Sequence, residues 1–433
     1  MFTLLNEPRV ESSIQEQMDV VVKETTRVYG KDCSIILAGG FGRGEGSIRI
    51  LESGKAVPLH DYDLFIVTDK RWNARDQAHL EQTIRMNLSA ISGIDLNRER
   101  FALGLQVIPA RSLSRLPPDL STYELKIASS VIYGRDVRPL ITIEKGNVAL
   151  GSGAITLFHR ITALLKNVEP EYLRLGDYPS SRRLETVYEC CKVYTEICTA
   201  LSLLGRFYEP SYHERALRFR DNYRLFPGLQ ARLPDLDEKI LRYTEMKLRS
   251  DFSRIIDRPA ELWVRTRRDL ETSLRYFLSK FLRQDANESW FVFCQTARER
   301  LRRFLFRDYI SFLLARLGVQ SPIIVDMANI AFQAYDSVVF GSKVRKSRGN
   351  SSHLFSFTSP ILDVYLASLL VLFSISDDGS IDRNLLAIGN QYVGRFFTDS
   401  TSHPDGVETW KNSRDNCVDG QRIYFSVNKK RSF

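Results

Sequence analysis

Hydrophobic and polar positions alternate with two different periods along the first third of the chain. Apolar residues recur at helical spacing from Arg9 to Val28 and again over residues 72–91, which predicts an amphipathic helix in each segment. Short apolar runs between turn residues predict strands. These strand runs cover residues 33–38, 61–67 and 101–109, with an edge element at 131–134 that follows a short predicted helix at 121–129.

From Gly153 onward helical periodicity dominates and strand signals are few. Two stretches lack this pattern. Residues 341–358 are polar and basic and predict an internal loop, and the segment from Asp399 onward has turn signals that predict an irregular tail. The most apolar run, residues 360–375, is shorter than the ~20 residues that cross a bilayer, so it predicts a buried helix.

These patterns together predict an α+β fold. A small mixed-sheet domain over residues 1–150 is expected to precede a helical domain over 151–285 and a C-terminal helical region with an irregular tail over 286–433.

Composition narrows the class of protein. The chain has 433 residues, of which 43% are hydrophobic and 26% charged, and this excludes collagen-like, disulfide-stapled and wholly disordered proteins. Residues 1–150 carry 19 basic and 19 acidic side chains, so the whole net charge of +9 belongs to the remainder. The six cysteines form no CxxC pair, which favours a reducing compartment. The N-terminus lacks the features of a signal peptide, so we expect a cytoplasmic protein without a membrane partner.

A glycine cluster, GGFGRGEGS, follows the first predicted strand. A Walker A loop would need a lysine after its second glycine, and a dinucleotide fingerprint would need a glycine where Glu45 or Ser47 stands. The remaining interpretation is a turn from a strand into a helix whose free backbone N–H groups bind the phosphates of a nucleotide. Gly39, Gly40 and Gly42 would lie beside those phosphates, because glycine has no Cβ to obstruct them.

Two aspartates begin the next predicted strand. Asp61 and Asp63 are two residues apart, and the period of a strand places their carboxylates on one face, with Tyr62 on the other. Carboxylates and substrate phosphates are the oxygen ligands that Mg²⁺ prefers. We therefore predict that Asp61 and Asp63 are catalytic and bind Mg²⁺, or Mn²⁺, together with a nucleoside triphosphate.

At these residues the chain resembles the nucleotidyltransferase superfamily that includes DNA polymerase β. Its members carry Gly-Gly or Gly-Ser at a strand end and alternating aspartates on the next strand, as Gly39-Gly40 and the segment from Leu59 to Leu64 do here. GGFGRGEG is also similar to uridylyltransferase-type domains. Residues 30–220 resemble stand-alone bacterial nucleotidyltransferase-fold proteins with an appended helical region. His60 and a long spacer, which predicts a surface turn at Ser53-Gly54, depart from the pattern.

The resemblance implies a reaction. A nucleoside monophosphate would pass from a nucleoside triphosphate to the hydroxyl, or a similar group, of an acceptor, and pyrophosphate would leave. The acceptor would be a small molecule, a protein or RNA, bound by the helical region. Nucleic acid is not the favoured partner, because basic runs such as residues 298–307 carry apolar positions at helical spacing and so indicate a solvated helix face.

Four further side chains are predicted beside the nucleotide, each with a structural alternative. Arg43 would pair with a phosphate or form an ion pair with a nearby glutamate. Ser47 would donate to a phosphate or cap a helix. Lys126 would reach the nucleotide or pair with a glutamate of its own helix. Lys192, with Tyr188, would close over the nucleotide from the helical region or take a core or rim position.

One position departs from the superfamily. Its enzymes place a third carboxylate on the following strand, where this chain has Gly104, with Gln106 the next residue facing the same way. Asp95 or Glu99 would substitute only under a different strand register. Loss of a general base typically costs ~10²–10⁴ in rate. The alternatives to a transferase are thus a catalytically weak or inactive nucleotide-binding or protein-interaction module of the same fold, and an antitoxin-like or RNA-modifying nucleotidyltransferase.

Overall fold

The computed structural model describes residues 1–59, 61–96, 101–348, 359–397 and 406–428. It has the predicted α+β architecture, an N-terminal mixed sheet with helices followed by a long, mostly helical region. The N-terminal elements are α1 (Pro8–Tyr29), β1 (Ser34–Ala38), α2 (Gly39–Gly42), β2 (Ile48–Ile50), β3 (Ala56–Pro58), β4 (Asp61–Val67), α3 (Ala74–Ser92), β5 (Ala102–Ile108), α4 (Leu120–Ile127) and β6 (Ser130–Tyr133).

The main sheet has the order β5-β4-β1-β6. β1 runs antiparallel to both of its neighbours, and β4 runs parallel to β5, which is why the long connection through α3 is needed between them. Alternate residues of the central strands pack against α1 and α3 on one face. The opposite face packs partly against α4 and leaves the beginning of β4 accessible.

The long spacer between the glycine cluster and β4 folds as a hairpin. β2 and β3 pair antiparallel, and Ser53-Gly54 lies in the turn between them, where Gly54 has a φ of 79°. The hairpin is attached to both parts of the protein, because the backbone N–H of Ile48 donates a 2.9 Å hydrogen bond to Ser250 Oγ of the helical region. The predicted surface turn is therefore confirmed. His60 and Glu99 lie outside the described residues.

The helical region forms one continuous hydrophobic core. Helix α7 lies at its centre and contacts α5, α10 and α11. The helices are α5 (Gly151–Lys166), α6 (Pro170–Leu175), α7 (Ser180–Leu204), α8 (Tyr212–Asn222), α9 (Pro227–Gln230), α10 (Leu236–Arg249), α11 (Pro259–Leu282), α12 (Trp290–Phe304), α13 (Arg307–Arg316), α14 (Pro322–Arg348), α15 (Pro360–Ser374), α16 (Arg383–Val393) and α17 (Gly406–Asn428).

The buried helix predicted in the most apolar run is confirmed, because every residue of α15 is buried. In the described part of the chain, one helix is long and apolar enough to cross a membrane by length and composition, and that helix is the segment Pro322–Lys346 of α14.

Two predictions about the C-terminal half are wrong. The loop predicted from residue 341 onward begins as the last turns of α14, and the tail predicted to be irregular contains α17. Helix α17 is held by packing that its polar composition conceals: Trp410 and Cys417 are fully buried, and Trp410 Nε1 donates a 2.9 Å hydrogen bond to the carbonyl of Val371. Residues 349–358, 398–405 and 429–433 lie outside the described residues.

Candidate functional site

A tight turn after β1 brings the backbone against the carboxylate of Asp63. Asp63 lies opposite Ala38 in the pairing of β4 with β1. The next residue, Gly39, has a φ of 64°, and a Cβ there would lie 2.4 Å from Asp63 Oδ2. Glycine adopts this left-handed conformation without strain and leaves room for the carboxylate. Gly39 is therefore required by the approach to Asp63, and its contact with a phosphate stays a prediction.

Gly40 and Gly42 fix the short helix α2 against the sheet. A Cβ on Gly42 would lie 2.1 Å from the carbonyl oxygen of Leu37, and the Gly42 carbonyl accepts a 2.6 Å hydrogen bond from Ser130 Oγ. The Gly40 carbonyl accepts a 2.7 Å hydrogen bond from the backbone N–H of Glu45. Glycine at position 42 thus has a packing reason that does not depend on a ligand.

The two aspartates of β4 share a face, as the two-residue period predicts. Tyr62 points into the opposite side, where it is fully buried and its hydroxyl donates a 2.8 Å hydrogen bond to Gln17 Oε1. Asp61 and Asp63 are only partly buried. The strand therefore anchors itself through Tyr62 and presents both carboxylates at the accessible edge of the sheet.

The carboxylate of Asp63 is poorly compensated. Its pKa is raised to about 7, chiefly by burial and also by the adjacent Asp61, whereas Lys192 and Arg43 oppose the rise. Among the residues that the structure describes, none donates a hydrogen bond to Asp63 and none forms an ion pair with it. A cation that bound between the two aspartates would relieve this repulsion.

The neighbouring strand supplies no third carboxylate. β5 pairs with β4 so that Gly104 lies opposite Asp63, and a Cβ on Gly104 would lie 2.8 Å from Asp63 Oδ1. Gln106 follows on the same face, opposite Phe65. Within the described ranges, no group of three His, Cys, Asp or Glu residues is arranged to hold a metal ion. Among the described residues of β4 and β5, Asp61 and Asp63 are thus the carboxylates at this edge.

Arg43 has charged partners within the protein. Its Nη1 lies 3.0 Å from Glu124 Oε2 and its Nε lies 3.3 Å from Glu45 Oε2. The guanidinium also lies 4.3 Å from the centroid of the Tyr212 ring. The ion pair that the sequence offered as the alternative for Arg43 is therefore formed, and the guanidinium is almost fully buried in it.

Glu45 joins the glycine cluster to the helical region. Its carboxylate accepts hydrogen bonds from Ser211 Oγ at 2.7 Å and from the backbone N–H groups of Tyr212 and His213 at 2.8 and 3.0 Å. These are the first residues of α8, whose free N–H groups and dipole favour a negative charge at that end. The Arg-Gly-Glu part of the cluster is thus a docking element between the two regions.

Arg215 completes this interface from within α8. Its side chain is 1% exposed, and its Nη2 donates to Tyr208 Oη at 2.8 Å and to Glu124 Oε1 at 3.2 Å. Its Nε donates a 2.6 Å hydrogen bond to the Glu209 carbonyl. Burial acts to raise the pKa of Glu124, but Arg43 and Arg215 outweigh it and leave the pKa lowered. We call Arg43, Glu45, Glu124 and Arg215 the interface network.

Lys126 and Ser47, which were predicted to contact the nucleotide, form hydrogen bonds within the protein. Lys126 Nζ donates a 2.8 Å hydrogen bond to the carbonyl of Ile143, which ties the end of α4 to a following loop. Ser47 is buried, and its carbonyl accepts a 2.9 Å hydrogen bond from the N–H of Leu59, which closes the base of the β2–β3 hairpin. A structural role is observed for Lys126. The helix cap predicted as the alternative for Ser47 is wrong, because Ser47 precedes β2, and the contact of its hydroxyl with a phosphate stays a prediction.

Helix α7 brings Lys192 and Tyr188 to the aspartates. Burial raises the pKa of Tyr188 well above its usual value and Asp61 adds to this, whereas Ser47 acts in the opposite direction. Lys192 lowers the pKa of Asp63, and its Nζ lies 3.7 Å from Glu189 Oε1. These two side chains of the helical region therefore lie within the electrostatic reach of the aspartate pair.

Lys247 of α10 is a site residue that the sequence analysis missed. It is buried with its Nζ 4.6 Å from the centroid of the Tyr212 ring, and no carboxylate of the described residues forms an ion pair with it. Its pKa is lowered to about 8, chiefly by burial and also by Lys192 and Arg43, while Glu45 opposes them. The sequence did indicate that Lys247 is buried, because this lysine takes a position of the helical repeat that an apolar residue would normally fill.

The arrangement unites two chemical properties. The sheet edge carries two adjacent carboxylates with Lys192 in their electrostatic reach, and Lys247 lies near Lys192 and Arg43. No model of a known protein family matches the chain, and a search of curated proteins finds no similar sequence.

Proposed function

We propose that the protein is a nucleotidyltransferase that moves a nucleoside monophosphate from a nucleoside triphosphate to an acceptor, with Mg²⁺ and release of pyrophosphate. The observation that carries the proposal is the pair of adjacent carboxylates on β4, Asp61 and Asp63, packed against the glycine turn at Gly39. A strand-end glycine turn beside paired aspartates is the arrangement that a metal–triphosphate complex needs.

The aspartate pair fits a divalent cation. Asp63 has a pKa raised to about 7 by burial and by Asp61, and it accepts no hydrogen bond from the described residues. Asp61 and Asp63 would hold Mg²⁺ together with phosphate oxygens, because Mg²⁺ commonly uses one or two carboxylates and completes its shell with phosphates and water. When bound, the ion would orient the triphosphate and offset the charge that develops on it.

The lysines of the helical region serve the other half of the substrate. Lys192 of α7 lies near Asp63 and Lys247 of α10 lies near Lys192, and their positive charges would complement a triphosphate. Lys247 is buried without a carboxylate partner among the described residues, so an anion would stabilise its charged form and raise its pKa.

Gly104 favours a second candidate function, nucleotide binding without efficient transfer. A side chain at this position would meet Asp63 Oδ1, so β5 leaves no room there for a third carboxylate in the present arrangement. Without a general base on this strand, transfer is expected to be slower by about 10²–10⁴. The acceptor would then have to be a good nucleophile, or the protein would act as a nucleotide-dependent binding module.

Incubation with α-phosphate-labelled nucleoside triphosphates and a cell extract tests the transferase directly. We expect a labelled acceptor in the presence of Mg²⁺, and its identity would reveal the substrate. The matched control is Asp32→Asn with Asp257→Asn, which changes two exposed aspartates outside the site. Labelling by the control but not by Asp61→Asn with Asp63→Asn supports the proposal. Nucleotide binding without labelling would instead support the second candidate function.

A further inference from the structure

Helix α14 differs from a normal surface helix, because it buries several polar side chains and exposes apolar ones. Its inward face carries polar side chains that are almost fully buried, namely Asn329, Gln333, Asp336 and Ser337. Gln333 Nε2 donates a 2.7 Å hydrogen bond to the carbonyl of Arg302, and Asp336 Oδ2 accepts a 2.6 Å hydrogen bond from Ser359 Oγ. These bonds fix which side of the helix faces the protein, since breaking them would leave buried polar groups unsatisfied.

The outward face of α14 is apolar. Its exposed large hydrophobic side chains are Ile323, Ile324, Met327, Ile330, Tyr335 and Val338, and we call this set the apolar stripe. Ile323 is 72% exposed and Met327 is 66% exposed. The helical period of 3.6 residues places these positions on one side of the helix. A continuous exposed apolar patch of this kind normally marks a binding surface.

Basic residues border the apolar stripe. Arg345 and Lys346 are exposed on the last turns of α14. Near the other end of the helix, the exposed carboxylate of Asp326 is paired with Arg307, whose Nε lies 2.8 Å from Asp326 Oδ1. The end of the stripe at Arg345 and Lys346 is therefore positive and would attract a negatively charged partner.

We propose that α14 docks this protein on the surface of an anionic lipid bilayer, which reverses the expectation from the sequence that the protein has no membrane partner. The apolar stripe would enter the boundary between headgroups and acyl chains, and Arg345 and Lys346 would contact anionic headgroups. Helix α14 is long enough to span a bilayer, but its inward face is bonded to the protein through Gln333 and Asp336, so the helix would lie along the membrane. A second copy of the chain is disfavoured as the occupant, because it would bring a surface of the same positive charge against the first.

Vesicle co-sedimentation of the full chain tests this proposal. We expect binding to vesicles of phosphatidylcholine mixed with phosphatidylglycerol, weaker binding to phosphatidylcholine alone, and weakening by salt. Met327→Ser with Ile330→Ser should reduce binding at least about tenfold, since both side chains would lose their contact with lipid. The matched control is Ile50→Ser with Met86→Ser, two residues of similar exposure in the N-terminal domain, which should bind as the wild type does.

The basic residues are tested separately. Arg345→Gln with Lys346→Gln should weaken binding to the anionic vesicles about 30-fold, or about fivefold for each charge removed. The control, Arg242→Gln with Arg249→Gln, removes two exposed charges of α10 and should have little effect.

Three outcomes would overturn the proposal. The wild type would fail to bind either kind of vesicle, or the substitutions in the stripe would leave binding unchanged. In the third, light scattering would show a dimer that Met327→Ser with Ile330→Ser dissociates, without vesicle binding, and the stripe would then be an interface between copies. All four variants change exposed side chains, so circular dichroism should show an unchanged fold.

Discussion

Two sets of buried carboxylates in the N-terminal domain have opposite electrostatic surroundings. Burial acts to raise the pKa of Glu124, but Arg43 and Arg215 outweigh it and leave the pKa lowered. Burial also raises the pKa of Asp63, and there Asp61 adds to the effect while Lys192 and Arg43 are too weak to reverse it. Burial alone therefore does not decide whether the pKa of each carboxylate is raised or lowered.

The two sets of carboxylates therefore differ in role: one joins the two regions of the protein, and the other belongs to the proposed substrate site. The interface network satisfies its carboxylates with arginines and with the N-terminus of α8, and so joins the two regions. Asp63 has no contact of this kind with the described residues, which is the reason for proposing that the aspartate pair binds a cation. The glycine cluster serves both sets, since Gly39 contacts Asp63 while Arg43 and Glu45 belong to the network.

Breaking the interface network should have the largest effect on the free energy of unfolding. Arg215→Met leaves the buried carboxylate of Glu124 with one arginine fewer, and we expect it to lower the free energy of unfolding by about 3–5 kcal/mol. Urea denaturation measures this. Arg218→Met is the matched control, because Arg218 of the same helix is exposed in its ion pair with Glu209 and should cost about 1 kcal/mol or less. Equal effects of the two substitutions would contradict the role given to the network.

Substitution in the glycine turn at Gly39 should have the second-largest effect on the free energy of unfolding. Gly39→Ala adds a Cβ in a left-handed conformation and against Asp63 Oδ2, and we expect a loss of about 2–3 kcal/mol in the free energy of unfolding. Gly54→Ala has the same conformational cost without a neighbour within 4 Å. The difference between the two variants measures the contact with Asp63, and a difference of zero would remove the steric reason for Gly39.

Substitution of Lys192 should have a smaller effect, which should be confined to nucleotide binding. Lys192→Gln removes one positive charge beside the aspartates and should weaken the binding of a magnesium–nucleotide complex about tenfold, with little change in stability. Lys166→Gln, which changes an exposed lysine of α5, is the control for net charge. Equal affinities of the two variants, measured by calorimetry, would mean that Lys192 does not face the nucleotide.

The smallest effect concerns pH. Because the pKa of Asp63 is raised to about 7, the folded protein holds this proton more tightly than the unfolded chain does. Without metal, the free energy of unfolding should therefore fall as pH rises from the usual carboxyl range toward 7.

Asp63→Asn should remove this slope and stabilise the metal-free protein above pH 7 relative to the wild type, whereas Asp32→Asn, at an exposed position, should leave the slope in place. Thermal unfolding between pH 5 and pH 8, a range set by the carboxyl pKa values, is the measurement. Mg²⁺ affinity should show the opposite trend and rise with pH through about 7, because the ion binds the deprotonated pair.

Local patterns predicted the sheet side of the site. The alternation around Tyr62 placed Asp61 and Asp63 on one face, and glycines marked the turn after β1, because both signals depend only on neighbouring residues. The resemblance to the superfamily placed Gly104 at the position of the third carboxylate, and the pairing of β5 with β4 puts it opposite Asp63. The predicted chemistry of these residues stays a prediction.

Contacts between distant segments were not predictable in this way. Glu45 meets α8, and Arg43 meets Glu124, across separations that no periodicity encodes. Helix α17 was missed because buried polar residues interrupt its apolar repeat, as Ser413 does by donating a 2.6 Å hydrogen bond to Asn390 Oδ1. Lys247 was missed because a lysine on a helix is normally solvated.

Calorimetric titration of the wild type and of Asp61→Asn with Asp63→Asn with the magnesium complexes of ATP, GTP, CTP and UTP tests the central claim most directly. The account predicts that the wild type binds at least one complex, and that the double variant binds it about 100-fold more weakly because the metal ligands are gone. Unchanged affinity in the double variant would contradict the account.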